Sequence, residues 1–157
     1  MDLRITIFLS LFFFVSVSVQ GQSAFDKMTN EKMRKILHRE TENLEGDSGR
    51  WKTEYNGRTI YIVTDDNFNR MRIICPIITV KEIKKEEYKI LLEANFDKAL
   101  DAKYSIYDEA LWSTYTHPLA ELSVEQFKDA MRQVVKLASN YGTSYASTDF
   151  VFGGGDN

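Results

Sequence analysis

Few residues in this chain could do chemistry. The 157 residues include two histidines and one cysteine. His117 lies close in sequence to Ser113 and Asp108, but no nucleophile-elbow motif frames the serine, so a catalytic triad is not indicated. The acidic segment 65–69 begins like a calcium loop yet lacks the glycine and the final glutamate that such a loop requires. We therefore predict no catalytic residues, no metal site and no other cofactor.

Composition narrows the class of protein further. Hydrophobic residues make up 43% and charged residues 27% of the chain, as in an ordinary globular domain. Twenty Lys and Arg against 23 Asp and Glu give a formal charge of -3, which disfavours a nucleic-acid partner. Cys75 lies among isoleucines and is expected to be a buried, free thiol.

The N-terminus has the pattern of an export signal. Arg4 precedes a nearly continuous apolar run, Ile5–Val19, and polar residues resume at Gln20. This run has the size of a signal-peptide core and is short for a membrane span, which needs about 20 residues. We predict a signal peptide over residues 1–21, export to the periplasm or the cell exterior, and no stable membrane insertion after cleavage. An uncleaved N-terminal anchor is the alternative.

The remaining sequence predicts one α+β domain over residues 22–142 and a flexible C-terminal tail over 143–157. Apolar periodicity and turn residues give the order α-β-β-β-α-β-β-α. The predicted ranges are 30–44 (helix), 51–55, 59–64 and 71–78 (strands), 86–100 (helix), 103–107 and 111–116 (strands), and 124–141 (helix). In the second helix, Leu91, Leu92 and Phe96 fall on one face, which we expect to be buried.

A family resemblance appears between Leu91 and Tyr141. The residues that carry it are Ala94-Asn95-Phe96, the strand Ala102–Tyr107, Leu111-Trp112, Pro118–Leu122 and the helix start Ser123–Phe127. This pattern resembles the bacterial YbjN-like domain, often described as a sensory-transduction regulator. That domain is similar in fold to type III secretion chaperones. The resemblance implies an antiparallel sheet packed against helices and carries no catalytic residues with it.

The aromatic residues of the predicted strands suggest a binding surface. If the second hairpin is regular, Tyr107 and Tyr115 share one side, opposite Tyr104, Ile106 and Trp112. We therefore predict Tyr107 and Tyr115 as exposed binding residues of a non-enzymatic, chaperone-like or regulatory protein. Its partner would be a protein, a peptide or a second copy of the chain, held at the sheet or its edge. Two alternatives stay open: these aromatics pack in the core, or the chain is a small envelope hydrolase or carbohydrate-acting enzyme.

Overall fold

The computed structural model describes residues 27–150 as a six-stranded antiparallel sheet with three α-helices. The helices are α1 (Asn30–Glu40), α2 (Glu87–Asp97) and α3 (Val124–Ser139). The strands are β1 (Glu42–Asp47), β2 (Arg50–Tyr55), β3 (Arg58–Asp65), β4 (Arg70–Thr79), β5 (Lys103–Tyr107) and β6 (Ala110–Pro118). Their order across the sheet is β1-β2-β3-β4-β6-β5. The predicted signal peptide, residues 1–21, and the end of the predicted tail, 151–157, lie outside the described residues.

The predicted α+β class and element order are confirmed, with one strand added. We expected the first helix to continue to Leu44, but it ends at Glu40, where Thr41 is extended and its hydroxyl donates to the Leu37 carbonyl oxygen. The following residues form the edge strand β1, which pairs with β2 across a turn at Ser48 and Gly49. Pairing with β2 decides this segment, because its own polar sequence has little strand propensity.

The core lies between the helices and one face of the sheet, here called the inner face. Fully buried side chains of both layers meet there. They include Trp51, Ile60, Ile62, Met71, Ile73 and Leu111 from the strands and Met33, Leu37, Phe127, Met131 and Leu137 from the helices. Each buried strand residue alternates with a more exposed one, as expected when a sheet is covered on one side.

A capping box is present at the start of α3. The Ser123 hydroxyl accepts a hydrogen bond from the Gln126 backbone N–H at 3.1 Å, and the Gln126 side chain accepts one from the Ser123 N–H at 2.9 Å. These bonds satisfy amide groups that the first helical turn leaves free. They fix the entry of the helix that covers the centre of the sheet.

Pro76 and Cys75 lie where β4 bends. The register between β4 and β6 shifts between Pro76 and Ile78, which forms the bulge that a proline in a central strand requires. Cys75 is fully buried, and burial raises the pKa of its thiol to about 11. The thiol is therefore a core group rather than a nucleophile at neutral pH.

The first part of the predicted tail packs against the domain. Tyr145 makes edge contacts with the rings of Tyr104 and Tyr141. Ser147 is buried, with its hydroxyl accepting from the Leu100 N–H and its own N–H donating to the Lys98 carbonyl. Contacts with the domain thus continue past the predicted boundary at residue 142 and include those of Ser147.

Candidate functional site

The two predicted binding tyrosines lie on opposite faces of the sheet. Tyr107 is 77% exposed on the face that no described helix covers, here called the outer face, whereas Tyr115 is only 8% exposed on the inner face. The prediction that both are exposed was therefore wrong for Tyr115. The reason is the two-residue turn at Asp108-Glu109, which pairs Tyr107 with Ala110. Odd-numbered residues of β5 consequently share a face with even-numbered residues of β6.

Tyr107 borders an open groove on the outer face. The groove has a volume of about 710 Å³ and crosses β3, β4, β6 and β5. Its apolar lining includes Val63, Ile74, Tyr107 and Trp112, one from each of the four strands. The Trp112 indole N–H donates to the Tyr107 carbonyl oxygen at 2.9 Å, which fixes the indole at the rim. Large amphipathic side chains held in place in this way are typical of protein-binding surfaces.

One end of the groove is basic. Arg72 donates from Nε to the Thr116 hydroxyl at 3.0 Å, and Arg70 donates to the Asn69 carbonyl oxygen at 2.9 Å. Within residues 27–150 neither guanidinium group forms an ion pair. Asp65 is the one carboxylate in the groove lining, and it already accepts a hydrogen bond from the Phe68 N–H.

The edges of the sheet are poor sites for adding another strand. At β5, the Asn95 side chain donates to the Tyr104 carbonyl at 3.0 Å and accepts from the Tyr104 N–H at 2.7 Å. At the other edge, β1 has an irregular register between Glu42 and Glu45 and a left-handed residue at Asn43. Blocked and bulged edges of this kind resist strand pairing. The outer face is therefore better suited to binding than either edge.

A second apolar surface lies on α2. We expected Leu91, Leu92 and Phe96 to be buried together, but only Leu91 is, while Leu92 is 71% and Phe96 85% exposed. The reason is the orientation of the helix, which turns Leu91 and Ala94 towards the core. Leu92 and Phe96 are four residues apart and lie on one helical face, next to the Lys89–Glu93 ion pair.

The residues considered for catalysis are not assembled into a site. His117 stacks on Tyr115 with ring centroids 6.2 Å apart, and its Nδ1 lies 2.8 Å from the Pro118 carbonyl oxygen. Ser113 is fully buried, and its hydroxyl has no hydrogen-bond partner among the described residues. Within residues 27–150, no group of three or more His, Cys, Asp and Glu side chains is arranged to hold a metal ion. No helix in that range is long and apolar enough to cross a membrane.

Several aromatic residues are structural. Tyr104 is buried, donates to the Leu137 carbonyl at 3.0 Å and makes an edge contact with Tyr141. Burial raises the pKa of Tyr104, and burial together with the hydrogen bond to Glu87 raises the pKa of Tyr141 to about 12. These phenols stay neutral at physiological pH. The alternative that the strand aromatics pack in the core is thus correct for Tyr104, Tyr115 and Trp51, and does not hold for Tyr107.

Comparison with known proteins identifies the fold. No family model matches the sequence, and no curated protein matches it. The solved structures with a similar backbone include the following three. A chain of the ExsC–ExsE complex has a TM-score of 0.56 and 11% identity, over 73% of this chain and 93% of that one. A chain of the HopA1–SchA chaperone–effector complex has a TM-score of 0.54 and 14% identity, over 68% and 87%.

The third is the Yersinia pestis type III secretion chaperone SycH in complex with a stable fragment of YscM2. Its TM-score is 0.53 with 11% identity, over 71% of this chain and 97% of that one. This protein has the fold of a type III secretion chaperone. At these identities the likeness establishes the fold alone, so the role of the groove has to be argued from its own residues.

Most residues of the groove were not predicted from the sequence. Val63, Ile74, Arg70 and Arg72 were not singled out, although their places in β3 and β4 alternate with buried residues. Strand alternation could have predicted the position of Arg72, because it lies between the apolar Met71 and Ile73 and must face away from the core. Ile74 gave no such signal, because an isoleucine is expected on the covered side.

Proposed function

We propose that this protein is a non-enzymatic, chaperone-like module that binds an extended segment of a partner protein in the outer-face groove. The observation that carries the proposal is the exposed Tyr107 and the rim-fixed Trp112 beside Val63 and Ile74, on a sheet face that no helix of residues 27–150 covers. An uncovered face needs only polar side chains, so contiguous apolar and aromatic groups indicate a surface that a partner covers.

The enzyme alternative has less support. The groove lining contains a single carboxylate, Asp65, and no histidine or cysteine. A hydrolase or carbohydrate-acting enzyme would need a second titratable group within reach of the same substrate. The similarity in fold to secretion chaperones captured with protein partners agrees with a binding role.

Two further parts of the proposal come from the sequence. We place the chain with the YbjN-like domains, on the motifs between Leu91 and Tyr141, and we place the mature protein outside the cytoplasm, on the apolar run that ends at Val19. N-terminal sequencing of the native protein tests export, because it should begin near Gln22. A native protein that keeps Met1 in a cytosolic fraction would contradict it.

Site-specific photocrosslinking tests the groove. A benzoylphenylalanine at position 107 should crosslink to a defined segment of a partner in the native host, identified by mass spectrometry. The matched control is the same label at Phe68, which is also 77% exposed but lies outside the groove lining. Equal crosslinking from both positions would show that the aromatic side chains react without a specific site.

The face of α2 supports a homodimer as the assembled form. Leu92 and Phe96 expose apolar surface, and Lys89 and Glu93 beside them have opposite charges. A two-fold axis would place the surface against itself, so that Lys89 of each copy could meet Glu93 of the other. A second copy of the chain is therefore the occupant that this surface fits.

Sedimentation tests the dimer. The variant Leu92→Ser with Phe96→Ser should be monomeric at concentrations where the native protein is a dimer, while Phe68→Ser should leave the mass unchanged. A native protein that sediments as a monomer up to high micromolar concentration would rule out this assembly, without affecting the proposal for the groove.

A further inference from the structure

The groove has an electrostatic feature that the proposed function does not by itself explain. Arg72 lies on the outer face between neutral neighbours, because its register partners are Val63 on β3 and Thr116 on β6. The bond from its Nε to Thr116 leaves the two terminal nitrogens of the guanidinium group without a carboxylate in the described residues. Arginine on such a surface is suited to bidentate pairing with a carboxylate.

Neighbouring charges do not neutralise this end of the groove. Asp65 is the register partner of Arg70, so it is opposite Arg70 rather than Arg72. The lining as a whole contains two arginines and one aspartate, and is positive although the complete chain has a formal charge of -3. A cationic site on an acidic protein favours an anionic group on the partner.

The aromatic end of the groove lies at a fixed distance from this cation. Trp112 pairs in register with Pro76, and Thr116 pairs with Arg72. The aromatic and basic ends are therefore about 13 Å apart along the strands, at about 3.3 Å per residue. The turn beyond the aromatic end contains Asp108 and Glu109, which disfavours a carboxylate at that end.

We infer that the groove selects extended partner segments in which a carboxylate side chain, bound by Arg72, lies about four residues from an apolar or aromatic side chain that packs beside Trp112. This inference rests on the proposed function, since it names the chemistry of the segment that the groove holds. In an extended segment, side chains four residues apart point to the same side, so both can face the groove.

Peptide selection tests the inference without a known partner. Random dodecapeptides displayed on phage are selected on the full-length protein, on Arg72→Gln and on Arg34→Gln. Arg34 is an exposed arginine of α1 on the opposite side of the sheet and serves as the matched control. The native protein and Arg34→Gln should enrich Asp or Glu at this spacing from an apolar residue. Arg72→Gln should keep the apolar preference and lose the acidic one.

A double-mutant cycle then measures the pairing. The strongest selected peptide is synthesised with an amidated C-terminus, so that its only carboxylate is the side chain, and again with that residue changed to the amide. The change should weaken binding about tenfold on the native protein and less than about twofold on Arg72→Gln. Tryptophan fluorescence, to which the buried Trp51 gives a constant background and Trp112 responds in the groove, reports binding, and a thermal melt of each variant reports folding.

Three outcomes are distinguishable. Acidic enrichment with coupling to Arg72 supports the inference. Peptides whose binding is lost in Trp112→Ala but is indifferent to their charge and to Arg72→Gln overturn the inference and leave the proposed function standing. Failure to select any peptide, or binding that survives both Trp112→Ala and Tyr107→Ser, overturns the inference and the proposed function together.

Discussion

Ile73 and Ile74 are neighbours in β4 but belong to different environments. Ile73 is fully buried on the inner face, and Ile74 is half-buried in the outer groove. The inner face is continuous with the helices, so its apolar residues stabilise the fold. The outer face has apolar groups with no described element above them. Burial in the core therefore accounts for the inner set of apolar side chains, and the proposed function accounts for the outer set.

The largest expected effect on stability comes from truncating Ile73, the buried member of this pair. Ile73→Ala should lower the free energy of unfolding by about 2–5 kcal/mol, because it leaves a cavity in a fully packed core. Ile74→Ala should cost about 1 kcal/mol or less, because the removed atoms are partly in water. Urea unfolding of both variants makes the measurement. Equal losses would mean that the outer face is packed as tightly as the inner one.

The next effect concerns the helix that covers the inner face. Ser123→Ala should lower the free energy of unfolding by about 1 kcal/mol, since it removes the acceptor for the Gln126 N–H at the start of α3. Ser139→Ala, at the exposed last residue of the same helix, is the control and should be nearly neutral. Coincident urea curves for Ser123→Ala and the native protein would show that the cap contributes nothing.

Much of the fold could be read from the sequence because local signals agreed with the final packing. The turn at Asn56-Gly57 has both residues at positive φ, as its two-residue hairpin requires, and Ser123 begins α3. Strand β1 could not be predicted, because residues such as Glu42 and Asp47 have little strand propensity. This segment forms a strand only by pairing with β2. Local propensity does not contain that information.

The site was less predictable than the fold. Tyr107 was identified correctly as exposed, but Tyr115 was assigned to the wrong face because the register across Asp108-Glu109 is a property of the turn, not of the alternation within either strand. Phe96 was expected inside, since a helix with apolar residues on several sides does not reveal which side meets the core. The groove combines four strands, and only the sheet order brings them together.

Alkaline pH should lower the stability of the fold, because buried tyrosines must then lose their protons. Burial raises the pKa of Tyr104, and the pKa of Tyr141 is raised from about 10 to about 12. Raised values mean that the folded state holds the proton more tightly, so this contribution to stability is complete below pH 10 and is lost as the pH rises towards 12. Thermal midpoints measured across this range should fall.

Tyr141→Phe separates this effect from general alkaline unfolding. The variant loses the hydrogen bond to Glu87, which should cost about 0.5–1.5 kcal/mol at neutral pH, and its midpoint should fall less steeply with rising pH. The same slope in both proteins would show that Tyr141 does not contribute to the alkaline transition.

The smallest expected change in stability is at Tyr107, on the outer face. Its contrast with Tyr115, on the inner face, is the clearest difference between the two faces. Tyr107→Ser should alter the free energy of unfolding by less than about 0.5 kcal/mol, because the ring is 77% exposed and Trp112 bonds to the backbone carbonyl rather than to the side chain. Tyr115→Ser should be strongly destabilising, since that ring is buried on the inner face. Peptide binding should weaken in Tyr107→Ser while its urea curve matches that of the native protein. If Tyr107→Ser instead unfolds early and binds peptides normally, the outer face is part of the structural core and the contrast between the two faces is lost.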